Sequence, residues 1–193
     1  MTGLTIPILD GSVRHDRAGI RAAHWVMAAL TARGHAPVLI DAAALGLPLL
    51  DRMYKEYAPG TAPAPLDELA VLFARADGFL VVSGEYNHAA PAALKNLLDT
   101  FQEEYFWRPS GIVCYSAGQF GGVRAAMQLR MTLAELGMSS IPSLMPIPRI
   151  VDAIDESGCA RTAGLDSSLS RFLDEFLWYA RALSHERGVG VPR

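Results

Sequence analysis

Five short apolar runs punctuate the chain: Leu4 to Leu9, Ala36 to Ile40, Gly78 to Val82, Gly111 to Tyr115 and Ser140 to Pro146. Within each run the hydrophobic positions are continuous rather than alternating, as in strands covered on both faces. Between the runs the period becomes helical. Ala22, Trp25, Val26, Ala29 and Leu30 form one stripe, and Leu66, Leu69, Ala70, Phe73 and Ala74 repeat it. Leu94, Leu97, Leu98 and Phe101 form a third behind Pro91, a residue suited to a first helical turn. Ala126, Leu129, Leu133 and Leu136 form a fourth that stops at Gly137, and a fifth runs through Leu169, Phe172, Leu173, Phe176, Leu177, Ala180 and Leu183. Strands alternating with helices predict an α/β fold, a parallel sheet between two helical layers.

Two segments disturb this pattern. Pro7 falls inside the first strand, where a residue without an N–H cannot donate to the ladder. The strand is therefore regular on one side only, or its pairing starts late. Gly46 to Pro65, with four prolines, is a long connection of the kind often used for function or assembly. No repeat or linker divides the 193 residues, which suit one domain over 1–193 with a frayed tail at 184–193.

Composition narrows the classes of function. With 51% hydrophobic and 19% charged residues and a net charge of −3, the chain lacks the basic excess expected of a nucleic-acid partner. No apolar stretch approaches the ~20 residues that span a bilayer, and Met1 to Thr5 has no signal-peptide pattern. No Cys/His spacing suits zinc, and Cys114, inside an apolar run, reads as a core residue. The expectation is a cytoplasmic, metal-free protein.

Three polar, glycine-bearing segments follow strands at the sheet edge where α/β proteins bind ligands. In the first, Gly11 permits a tight turn, Ser12 offers a hydroxyl, and Arg14 and Arg17 supply forked donors for a phosphate at a helix start. The same residues also make an ordinary turn with solvated arginines. Neither a P-loop nor Gly-x-Gly-x-x-Gly is present, so a mononucleotide fits better than ATP or a dinucleotide. In the second, Gly84, Glu85, Tyr86 and Asn87 offer an aromatic face and hydrogen-bonding groups for a heterocycle, or plain turn chemistry; His88 caps or packs. In the third, Ser116, Ala117, Gly118, Gly121 and Gly122 allow close backbone approach to a flat ligand. Arg124 is either solvated or ion-paired, or serves a nucleotide phosphate or subunit contact.

The three segments together resemble the NADPH-dependent FMN reductase family across roughly residues 4 to 150. The first resembles its Gly-Ser-x-Arg-x-x-Ser-x-Asn signature, with Gly11, Ser12 and Arg14 matching but Arg17 and Gly19 in place of the serine and asparagine. The second resembles Pro-Glu-Tyr-Asn with Leu-Lys-Asn-x-x-Asp, matched by Glu85, Tyr86, Asn87, Leu94, Lys95, Asn96 and Asp99, while Gly84 replaces proline. The third is similar through Gly121-Gly122-Val123-Arg124-Ala125 to Glu135-Leu136-Gly137.

The resemblance implies a flavodoxin-like three-layer sandwich with sheet order 2-1-3-4-5. It implies FMN held at Gly11, Ser12, Arg14, Arg17, Gly84, Glu85, Tyr86, Asn87, Ser116, Ala117, Gly118 and Gly121. It further implies NADPH or NADH as co-substrate, and a flavin, quinone or azo compound as second acceptor in a ping-pong cycle. A flavodoxin-type carrier and a flavoenzyme dedicated to one metabolite are the alternatives. A homodimer or dimer of dimers is expected, because the aromatic stretch Phe101 to Pro109 and the connection Leu47 to Tyr57 offer surface for a partner.

Overall fold

The computed structural model describes residues 3–192. Met1, Thr2 and Arg193, the ends of the leader and tail readings, lie outside the described residues. Five parallel strands, β1 (Thr5–Asp10), β2 (Ala36–Asp41), β3 (Phe79–Gly84), β4 (Pro109–Tyr115) and β5 (Ser139–Ile147), form one sheet in the order β2-β1-β3-β4-β5. The five striped segments form α1 (Gly19–Ala32), α3 (Ala64–Arg75), α4 (Ala92–Thr100), α5 (Val123–Glu135) and α7 (Leu165–Val189). Two one-turn helices beyond the expected five, α2 (Ala42–Leu45) and α6 (Ile150–Ala153), extend the ends of β2 and β5.

The apolar runs pack on both faces. Ile6, Ile8, Leu80, Val82 and Val113 meet α1 and α7, whereas Leu9, Phe79, Val81, Ile112 and Cys114 meet α3, α4 and α5. Burial pushes the Cys114 thiol up to about 12, which keeps it an inert core group. Pro7 satisfies both sequence alternatives. The strand pairs with β2 along its whole length, but with β3 only from Ile8. The N–H groups of Thr5 and Gly11 point to the β3 side, to Asp77 and Val82, so the missing N–H of Pro7 falls where that ladder has not begun.

Two expectations change. The helix expected to fray after Leu183 continues to Val189 because Ser184 donates to Asp77 at 2.7 Å and Arg187 donates to the Trp107 carbonyl at 3.0 Å. The aromatic stretch after α4 turns inward. Phe101 and Tyr105 are fully buried and pack edge-on against Phe73 and Phe79, leaving Trp107 as its exposed ring. The connection after β2 keeps its outward apolar residues, with Leu49 85% exposed, and is pinned to α4 by Asn96, which bonds the Pro48 carbonyl and the Leu50 N–H.

Candidate functional site

All three segments lie at the carboxyl edge of the sheet, each leaving a strand: loop 1 (11–18) after β1, loop 2 (85–91) after β3 and loop 3 (116–122) after β4. They meet in space. Ser12, buried in loop 1, has its hydroxyl 3.4 Å from that of Tyr86 in loop 2. Glu85 of loop 2 reaches the start of α5, accepting from the N–H groups of Arg124 and Ala125 at 3.1 and 3.3 Å and facing the Arg124 guanidinium at 3.4 Å.

Loop 1 carries the features of an anion cradle. Its backbone N–H groups from Val13 through Arg17 have no hydrogen-bond partner among the described residues, and they lead directly into α1. Arg14 is exposed and forms no ion pair among the described residues. Gly11 does not adopt a positive φ; it is needed because a Cβ there would run into the Leu94 side chain. Arg17, expected beside Arg14, faces inward instead. Its fork is engaged by both oxygens of Asp41, and its Nη1 also donates to the Ser12 carbonyl at 3.1 Å and lies 3.4 Å from Asp10.

Asp10, Asp41 and Tyr115 were not anticipated from the sequence. Asp10 ends β1 with no solvent exposure, and its Oδ1 has no partner. Burial pushes its carboxyl up to about 6, against the opposing pull of Arg17 and the Ser12 N–H. The hydrogen bond from Arg17 holds the Asp41 carboxyl below its ordinary value. Tyr115 ends β4 and lies across Gly84, where a Cβ would come within 3.0 Å of its ring. Its hydroxyl ends over Gly19, so close that any side chain at that position would collide with it. Burial pushes the phenol well up, and the Asp10 charge pushes in the same direction. The glycine at the signature's asparagine position thus has a steric cause.

Loop 2 is a tight turn closed by reciprocal bonds between Tyr86 and Ala89 at 2.9 and 3.0 Å. Asn87 and His88 both take positive φ, 50° and 68°, the pattern of a type I′ turn, and stand exposed at its tip. Lys95 and Asp99 pair along α4, a structural contact. In loop 3 the Ser116 hydroxyl donates to the Gly118 carbonyl and accepts from the Gly121 N–H, both at 2.9 Å. Ala117 and Gly118 are exposed, and Gly118 has open space where a side chain would stand. Gly121 and Gly122 hold the positive φ values the turn requires. Arg124 is ion-paired with Glu85 and lies 4.2 Å over the exposed Phe120 ring.

The site therefore unites Ser12, Tyr86 and the backbones of loops 1 and 3. It turns the charged ends of Arg17 and Glu85 to internal contacts. The unbonded N–H row and free Arg14 fit a phosphate, and the open backbone at Ala117–Gly118 fits the edge of a flat ring.

The chain is similar to a 2-hydroxy-1,4-benzoquinone reductase from a Burkholderia species, 30% identical over 188 residues that cover 92% of this chain and 97% of that protein. In fold it is similar to a flavoenzyme NAD(P)H:(acceptor) oxidoreductase from Paracoccus denitrificans, with TM-score 0.74 and 19% identity over 93% of this chain and 98% of that one. A flavodoxin variant from Pseudomonas aeruginosa shares the fold with TM-score 0.54 and 20% identity, over 92% of this chain and 99% of that one. The model of the family described as NADPH-dependent FMN reductase matches residues 4–151. The chain belongs to that family.

Proposed function

We propose that the protein is an FMN-dependent NAD(P)H reductase delivering two electrons to a small acceptor, a quinone before a flavin or an azo compound. The observation that carries this reading is the convergence of the unbonded N–H row of loop 1, the Ser12–Tyr86 contact and the open backbone of loop 3 at one sheet edge. FMN, once bound, would supply the chemistry, two-electron transfer from NAD(P)H to the second substrate in a ping-pong cycle. The chain's own residues bind and orient. Ser12, Arg14 and the loop 1 N–H groups hold the phosphate. Tyr86 and Asn87 would border the ring, and Gly84 leaves room for the Tyr115 side chain. The N–H groups of Ala117 and Gly118 would stabilise negative charge at the ring's edge. Arg17 and Glu85 keep loops 1 and 2 in shape rather than touching the cofactor. A quinone is favoured as acceptor because the benzoquinone reductase relative matches over nearly its whole length.

We also propose that the working unit is a homodimer or a dimer of dimers. The groove lined by Val13, Ala43, Leu47, Leu49, Ala92 and Asn96 borders loop 1, so a partner seated there would help enclose the site. The free thiols Cys114 and Cys159 and the need for NAD(P)H suit a cytoplasmic setting.

The test is anaerobic. The FMN-loaded protein should lose its visible absorbance on addition of NADPH or NADH and regain it when a benzoquinone is added. A spectrum that bleaches with neither nicotinamide would leave a flavodoxin-type carrier as the better reading. Light scattering on the same sample should give at least twice the 20.8 kDa of one chain.

A further inference from the structure

Beneath loop 1, three charged side chains share a space almost closed to water. Asp10, Arg17 and Asp41 have side-chain exposures of 0%, 20% and 14%. Two carboxylates face one guanidinium, so one negative charge is left uncompensated. The two are not equivalent. Asp41 takes both arms of the Arg17 fork and also accepts the Ala43 N–H at 2.9 Å. Asp10 has a single 3.4 Å contact to Arg17 through Oδ2, while its Oδ1 has no partner.

The groups facing Asp10 come from every element around it. They are the Ser12 N–H and Arg17 of loop 1, Asp41 of β2 and Tyr115 of β4, whose hydroxyl crowds with Asp10 Oδ1 over Gly19 at the start of α1. Tyr86 enters through its contact with Ser12. The exposed His15 and Asp16 pair with one another at 2.8 Å on the outer side of the same loop. Arg17 cannot add charge to a phosphate without abandoning Asp41. A phosphate dianion on loop 1 therefore meets a buried carboxylate that is the weaker partner of its own ion pair.

We propose that Asp10 is a proton-linked specificity residue for phosphate-bearing flavin: it takes up a proton as the phosphate settles on loop 1, so FMN binds together with a proton and riboflavin does not. This rests on the reading of loop 1 as the phosphate site. Burial already holds the Asp10 carboxyl near neutrality, at about 6, and a further negative charge acts in the same direction. The linkage has a definite sign. FMN affinity falls as pH rises from about 6, at most tenfold per pH unit for one proton. The ligand's own phosphate, with a second ionisation near pH ~6, would by itself make affinity rise slightly over the same range.

The experiment is a flavin-fluorescence titration of FMN and riboflavin against the apoprotein from pH 6 to 8. The wild-type ratio of FMN to riboflavin affinity should fall roughly three- to tenfold over that range. Asp10→Asn should make the ratio flat or slightly rising, and should tighten FMN binding at pH 8. Calorimetry on the wild type at pH 7, in buffers of different ionisation enthalpy, provides a readout that needs no variant. FMN should bind with uptake of a measurable fraction of a proton and riboflavin with none. A ratio with the same pH course in wild type and Asp10→Asn, or binding of FMN without proton uptake, overturns the proposal. Arg14→Ala separates the underlying reading: it should lower the FMN-to-riboflavin ratio at every pH. If it does not, the phosphate is not on loop 1 at all.

Discussion

The two sides of the ligand edge are held together by different forces. On the β1–β2 side, loop 1 is shaped by charged side chains, with Arg17 tying the Ser12 carbonyl to Asp41 and Asp10. On the β4–β5 side, loop 3 is laced by backbone groups and one hydroxyl. Arg149 N–H donates to the Gly118 carbonyl at 2.9 Å, Ile150 N–H to the Ser116 carbonyl at 3.1 Å, and Ser116 Oγ braces the turn. Loop 2 is tied to both through Tyr86 and Glu85. The difference separates two tasks. The charge-held half can respond to ligand charge and pH, whereas the backbone-held half is a frame without a titratable brace.

The sharpest way to break the frame is Gly122→Ala. Gly122 has φ 78°, and a Cβ there would lie 2.7 Å from the Tyr115 carbonyl oxygen, a backbone atom that cannot swing aside. The left-handed conformation costs roughly 1–2 kcal/mol for a non-glycine residue and overpacking about 1–3 more. A loss of roughly 3–4 kcal/mol in urea unfolding is expected, independent of pH. A loss below about 1 kcal/mol would mean that loop 3 is not the rigid half.

Asp10→Asn tests the charged half and should act with the opposite sign. The folded carboxyl titrates at about 6, above its ordinary 3.8, so the native state holds the proton more tightly than the unfolded chain. Stability contributed by the protonated group is complete below pH ~4 and is lost as pH rises through ~6. Ionisation at neutral pH therefore costs the fold about 3 kcal/mol as an upper figure. The asparagine variant should match the wild type near pH 4 and exceed it at pH 7 by up to that amount. Asp41 works the other way, since Arg17 holds its carboxyl below the ordinary value and its contribution is lost only in acid. Thermal unfolding of both proteins across pH 4 to 8 measures the difference directly.

The same contrast explains what could be read from the chain alone. All five strands and the five long helices follow from apolar spacing, because burial on two faces writes itself into the sequence. The strand ends do not. Asp10, Asp41, Ser83 and Gly84 continue their strands past the last apolar residue, and periodicity stops one or two residues short of them. Arg17 looked like a phosphate ligand because its partner Asp41 lies 24 positions away, beyond any local pattern. A signal existed: two successive apolar runs each close on an aspartate, and a carboxylate at a covered strand end needs a partner. The inward turn of Phe101 and Tyr105 was also legible. Phe101 continues the spacing of Leu94, Leu97 and Leu98 toward the same core, and Tyr105, in a short turn beyond the end of α4, follows it there.

The smallest effect concerns the tie between the halves. Glu85 has a 10% exposed side chain, and its carboxylate caps the start of α5 through the Arg124 and Ala125 N–H groups. The ion pair with Arg124 is longer, at 3.4 Å, and 40% of that side chain is exposed. If the cap carries the contact, Glu85→Ala should cost about 1 kcal/mol, as loss of an N-terminal cap does. Arg124→Ala should cost less than about 0.5 kcal/mol, because an exposed pair is screened. Both N–H groups bond the same Oε2, so Glu85→Gln keeps a neutral acceptor for them and should fall between the two alanine variants. Amide exchange at Arg124 and Ala125 should quicken in Glu85→Ala and stay unchanged in Arg124→Ala. Equal losses in the two alanine variants would make the ion pair, rather than the helix cap, the link between loop 2 and the backbone-held half.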